Sequence, residues 1–224
     1  MNSLFIFDLD GTLYSFDKGE SKSFGSSKFY ADIKQKTFTF FSERLGFPRD
    51  LAELEFNRIK EKYNKEVSLG VEREYGINRY EYFANTWNLN PKNYFDRNPN
   101  IRKLFEGLSG KIAILTGAPK VWAAEALQYL DVYDIIQNSL FTGEPDVRKP
   151  DPEAFAQIAR LNSISPLECV SIGDQESTDI IPAKKLGMKT IIVGKPSEYA
   201  DFQISKIREL YKILEKLENE KNNN

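Results

Sequence analysis

Four short apolar runs limit what this chain can fold into more than any other feature. They are Ser3-Leu4-Phe5-Ile6-Phe7, Lys111-Ile112-Ala113-Ile114-Leu115, Glu168-Cys169-Val170-Ser171-Ile172 and Lys189-Thr190-Ile191-Ile192-Val193. None alternates polar with apolar positions, so each reads as a strand covered on both faces. Helical patterns lie between them over residues 121–130, 152–161 and 179–186, with Gly187 as the stop after the last. A weaker strand candidate spans residues 135–141. Buried strands alternating with helices predict an α/β fold, a Rossmann-like three-layer core around a parallel sheet. Such sheets bind ligands beyond the carboxyl ends of their strands. Three of the runs end against Asp8, Thr116 and Asp174.

Residues 15–100 break the alternation. They carry helical stretches over 27–46, 50–63 and 79–87, and the segment with Pro91 and Pro99 reads as the return. The expected organisation is a core from residues 1–14 and 101–224, with a mainly helical cap inserted over 15–100. Its position directly after the first strand suits a lid. Phe38, Phe40, Phe41, Tyr80, Tyr82 and Phe83 read mostly as the cap's own small core. Near the C-terminus Ile204, Ile207, Leu210, Leu214 and Leu217 recur at helical spacing. Fewer than three heptads favours a helix packed on the sheet over a coiled coil. Residues 218–224 read as a frayed tail.

Composition narrows the chemistry. The 224 residues include no histidine and one cysteine, Cys169, which reads as a buried filler. Serine or cysteine triads that use histidine are excluded, as are multi-cysteine and His-Glu-x-x-His zinc sites. Carboxylates, lysine, hydroxyls or an oxygen-bound metal must do the work. A net charge of −2 gives no reason to expect nucleic acid or an anionic membrane as partner. With no apolar stretch near the roughly 20 residues of a membrane span, a cytoplasmic protein is expected, monomer or homodimer.

Asp8 and Asp10 follow the first run in Phe7-Asp8-Leu9-Asp10-Gly11-Thr12-Leu13-Tyr14. Residues two apart on a strand face the same way, so two carboxylates are held together where a buried strand opens into a turn. Like charges so placed repel unless a cation or proton sits between them. Turn chemistry alone would account for Asp10-Gly11 but not for Asp8.

Four elements occur in order: Asp8-x-Asp10-Gly11-Thr12, Ile114-Leu115-Thr116-Gly117, Arg148-Lys149-Pro150-Asp151-Pro152, and Ile172-Gly173-Asp174 with Asp179 five positions on. Together they resemble the haloacid dehalogenase-like superfamily of phosphohydrolases. The resemblance implies a Mg²⁺-dependent phosphomonoester hydrolase. Asp8 would be the nucleophile that forms an aspartyl-phosphate, and Asp10 the general acid and base. Thr116, Gly117 and Lys149 would bind phosphate. Asp8, Asp174 and Asp10, the last through its backbone carbonyl, would hold the metal, with Asp179 orienting it. Asp179 as a plain helix N-cap, and Lys149 or Arg148 as solvated surface residues, stay open as bland readings. The 2-haloacid dehalogenases typically lack an acidic residue where Asp10 stands, which favours phosphate chemistry. The cap stretch from Lys62-Tyr63 to Tyr82-Phe83, with Gly70 and Tyr75-Gly76, is loosely similar to pyrimidine 5′-nucleotidases. A small phosphate ester is therefore the expected partner, with a nucleoside 5′-monophosphate leading. A phosphosugar mutase, a phosphoglycolate phosphatase and a non-catalytic binding protein remain alternatives.

Overall fold

The computed structural model describes residues 3–19 and 23–214. Strand β1 (Ser3–Phe7) is followed by four helices, α1 (Lys28–Leu45), α2 (Arg49–Lys62), α3 (Val67–Tyr75) and α4 (Arg79–Thr86). Helix α5 (Asn100–Glu106) leads into β2 (Gly110–Leu115), then α6 (Lys120–Tyr129), α7 (Tyr133–Ile136) and the two-residue β3 (Leu140–Phe141). Helix α8 (Pro152–Leu161), β4 (Cys169–Gly173), α9 (Ile181–Lys184), β5 (Lys189–Val193) and β6 (Phe202–Ile204) complete the order. The six strands form one all-parallel sheet in the order β3-β2-β1-β4-β5-β6. That order reverses direction beside β1, which creates a crevice at the carboxyl ends of β1 and β4.

The continuous apolar runs are explained by the two faces they fill. Phe5, Phe7, Ile114 and Ile172 pack with Leu104, Phe105, Trp122 and Leu127 on one side. Leu4, Ile6, Ala113 and Leu115 pack with Phe155, Ile158 and Ala183 on the other. Each fully buried Leu, Ile or Phe contributes about 1.5–3 kcal/mol by leaving water, so the sheet is the main source of cohesion. The helical insert has its own core of Phe38, Phe40, Phe41, Phe56, Ile59, Tyr82 and Phe83, whereas Tyr80 is exposed. Its base merges with the sheet core through Phe16, Phe29, Tyr94 and Phe95.

Several expectations need correction. Residues 135 and 136 lie in α7, leaving only Leu140–Phe141 as strand. Ile204 belongs to β6, not to a helix, because residues 202–204 pair in parallel with β5 and cover its edge. Ile207 and Leu210 are buried against the core, and Leu217 lies outside the described residues. The segment expected as a helix from 179 begins as a π-helical turn over Glu176–Ile180 and continues as α9. Helix α3 was not anticipated, since Gly70 sits at its centre. A Cβ there would fall 2.3 Å from Ile59 Cγ2, so glycine admits the close approach of α2. Among the described residues, no helix is long and apolar enough to cross a membrane.

Candidate active site

Parallel pairing brings the predicted residues to one edge. Asp8 directly follows β1, and its backbone N–H donates to Ile172 O of β4 at 2.8 Å. Thr116 follows β2, its N–H pinned by Phe141 O of β3 at 3.0 Å. Asp174 follows β4, and Lys149 precedes α8. The short β3, energetically slight, thus matters because it anchors the Thr116 turn.

Asp8 is buried and accepts one side-chain hydrogen bond at each oxygen. Its Oδ2 accepts from Thr12 Oγ1 at 2.9 Å, and its Oδ1 from Lys149 Nζ at 2.8 Å. Lys149 also donates to Asp179 Oδ1. Burial alone would lower the lysine, but the carboxylates of Asp179 and Asp8 outweigh it and hold the ammonium charged, above its ordinary value. Arg148 turns the other way, to Glu66 of the insert and to the carbonyls of Pro145 and Asp146. Lys149 is therefore the basic residue aimed at the crevice.

Asp8, Asp174 and Asp179 each offer an oxygen within 4.8 Å of the others. Burial first, then Asp8 and Asp179, pushes the Asp174 carboxyl up. Burial also raises Asp179; Lys149 opposes that shift and Asp8 adds to it. Asp174 Oδ1 is buried without a hydrogen-bond partner. Three crowded carboxylates with an unpartnered oxygen fit a hard divalent cation, which takes oxygen ligands. Gly11 completes the cradle: its φ is +91°, and a Cβ there would sit 2.5 Å from Asp174 Oδ2. Asp179 does not act as a simple N-cap. Its carboxylate lies inside this cluster and reaches back to Gln175 N–H at 2.9 Å.

The Asp10 side chain points away from the cluster. Its Oδ1 accepts from Tyr14 OH and from Trp122 Nε1 (2.7 Å), and its Oδ2 from Thr116 Oγ1 at 3.2 Å. Burial, followed by the charge of Asp8, raises Asp10 to about 6, while these three donors pull it down. A carboxyl so poised can both give and take a proton near neutrality. Burial and Asp10 together hold Tyr14 well above its ordinary value.

Asp8, Asp10, Thr116, Gly117 and Lys149 line a cavity of about 270 Å³ whose remaining wall includes Phe16, Phe24 and Trp87. Sequence reasoning missed Tyr14, Trp122 and this aromatic wall. The available signal was that a buried indole N–H or phenol needs an acceptor, and Asp10 is four residues before Tyr14. The distant pairing of Trp122 with Asp10 has no local signature.

A family model described as haloacid dehalogenase-like hydrolase matches residues 3–187. The glyceraldehyde 3-phosphate phosphatase of Pyrococcus furiosus is 25% identical over 242 residues, covering 94% of this chain and 92% of the relative. The phosphorylated carbohydrates phosphatase of Thermotoga maritima is 24% identical over 196 residues, covering 83% and 82%. Among solved structures, the HAD phosphatase from Thermococcus onnurineus shares the fold with a TM-score of 0.67 at 22% identity, covering 96% of this chain and 98% of that one. With its family match running through both β1 and β4, the chain belongs to the haloacid dehalogenase-like hydrolases and is an enzyme of that family.

Proposed function

We propose that this protein is a Mg²⁺-dependent phosphomonoester hydrolase acting on a small phosphorylated carbohydrate. The observation that carries the reading is Asp8, held by Lys149 and Thr12 on the floor of a cavity it shares with Asp10. Asp8 attacks phosphorus and the bond to the leaving oxygen breaks, giving an aspartyl-phosphate. Asp10 delivers a proton to the departing oxygen, then takes one from the water that hydrolyses the intermediate. Lys149, Thr116 and the Gly117 backbone hold phosphoryl oxygens. Asp8, Asp174 and the backbone carbonyl of Asp10 would hold the metal, with Asp179 orienting the site, and the metal's charge would offset repulsion between carboxylate and phosphate. The helical insert, residues 15–100, serves as the cap over this centre.

The substrate class rests on relatives named for glyceraldehyde 3-phosphate and for phosphorylated carbohydrates. A nucleoside 5′-monophosphate is the second reading. It draws on Phe24 and Trp87, whose rings stack in the cavity wall with centroids 5.9 Å apart and planes 14° apart. Phosphate release from sugar phosphates, phosphoglycolate and nucleoside monophosphates, at fixed Mg²⁺, tests both. The expected result is highest kcat/KM on a sugar or triose phosphate. Preference for a nucleotide would select the second reading, and isomerised substrate with little free phosphate would indicate a mutase. No release from any ester would sink the hydrolase reading.

A further inference from the structure

Tyr14 and Trp122 are polar groups in an aromatic setting that the proposed chemistry does not otherwise use. Trp122 is fully buried and Tyr14 nearly so. Both donate to the same oxygen of Asp10, Oδ1, and the indole N–H also lies 3.2 Å from the phenol oxygen. A carboxylate oxygen has about two acceptor positions, so these donors fill Oδ1. Oδ2 carries only the longer bond from Thr116 Oγ1, at 3.2 Å. The two oxygens of one side chain are therefore inequivalent.

The donors are themselves immobilised. The Tyr14 ring stacks on Phe95 with centroids 3.6 Å apart and planes 11° apart. The Trp122 ring packs on Phe29 at 4.1 Å and edge-on to Phe95 at 6.3 Å. Phe29 opens α1 and Phe95 lies on the return from the insert. Both ends of the helical insert thus press on the donors that grip Asp10.

We propose that Tyr14 and Trp122 are positioning residues that tether Asp10 Oδ1, leaving Oδ2 as the oxygen that faces the ester and exchanges the proton. This rests on the acid–base role proposed for Asp10. Trp122 Nε1 carries a hydrogen and no lone pair to receive one, so the mobile proton belongs on Oδ2. As the Asp8–phosphorus bond forms and the ester P–O bond breaks, that proton passes to the leaving oxygen and Asp10 becomes the anion. In the second half it returns to Oδ2 from the attacking water. Proton transfer of this kind needs the donor within about 2.6–3.2 Å of its target, so a carboxyl free to rotate would spend much of its time misaimed.

A purely structural role would make the same bonds, because buried phenols and indoles need partners. The two are separated by leaving-group dependence in Tyr14→Phe and Trp122→Phe, assayed with Mg²⁺. The substrates are the best alkyl phosphate of the panel and p-nitrophenyl phosphate, whose leaving group needs no proton. The expected loss in kcat/KM, which reports formation of the aspartyl-phosphate and not its leaving-group-independent hydrolysis, is about 10- to 100-fold for the alkyl ester and less than about threefold for the nitrophenyl ester. Equal losses on both esters, or no loss on either, overturn the proposal. Tyr14→Phe removes one hydroxyl and keeps the Phe95 stack, so it decides the matter even if Trp122→Phe fails to fold. Asp10→Asn is the reference. If it shows no gap between the esters, the acid–base reading of Asp10 falls and the tether with it. If it shows the gap and Tyr14→Phe does not, the tether alone is wrong.

Discussion

In the sheet core, Asp8, Asp174 and Asp179 share a space less than 4.8 Å across around a single lysine. In the helical insert, Glu55 and Glu74 meet Arg58 and Lys62 on an accessible face. The core pushes its carboxyls up, mainly through burial. The insert pulls its own down: Arg58 lowers Glu55, and Arg58 with Lys62 lowers Glu74 to about 2. One region holds charge where it is unwelcome and the other matches charge for charge. Cohesion can be spent at a reactive centre because the surrounding sheet is amply packed.

Removing Lys149 should break this contrast most severely. Lys149→Met leaves Asp8 and Asp179 without their cation, so the metal-free protein should lose about 3–5 kcal/mol in denaturant unfolding. Turnover should fall about 100- to 1,000-fold. A loss below about threefold would mean that the lysine does not face the transferring phosphoryl group.

The two regions should also answer pH in opposite directions, measured by hydrogen exchange on metal-free protein after correction for intrinsic rates. Asp10 is raised from 3.8 to about 6, so its stabilising contribution is complete below about pH 4 and lost as pH rises through 6. Glu74 is lowered from 4.5 to about 2, so its contribution is present above pH 4.5 and lost as pH falls toward 2. Protection in β1 and β4 should therefore increase from pH 7 to 5, whereas α2 and α3 stay level until pH drops below about 4.5. Acid loosening of β1 before α2 would contradict the assignment.

The smallest effect belongs to the insert's surface. Arg58→Gln removes the cation between Glu55 and Glu74, yet exposed pairs contribute little, so the melting temperature should fall by no more than about 4 °C. A larger drop would show that these pairs hold the insert together, in place of its Phe41 and Phe56 core.

The same contrast explains what could be read from the residues in order. The strand-end elements were legible because each functional group sits one or two positions past a buried run, where periodicity alone locates it. Asp8, Thr116 and Asp174 were expected at one edge on that basis, and Lys149 only from the family resemblance; Asp8 and Asp174 cluster there, and Thr116 and Lys149 line the cavity with Asp8. The helical stretch expected over 27–46 was legible too: Ser27 accepts from Tyr30 N–H and the helix runs to Leu45. Helix α3 was hidden by Gly70, whose reason is a neighbour in space. Strand β6 was hidden because Ile204 keeps helical spacing with Ile207 and Leu210, although the helical segment begins only at Ile207. The Asp10 partners were hidden for a related reason: Trp122 lies 112 residues away, and no pattern joins the two.

The kcat of Asp8→Asn, measured with Mg²⁺ on the best ester of the panel, tests the central claim most directly. The amide keeps the shape of the side chain but is too poor a nucleophile to accept phosphorus. A fall of at least about 1,000-fold in a variant that keeps the folded circular-dichroism spectrum is the predicted result. Turnover within about tenfold of the parent enzyme would contradict a covalent step at Asp8.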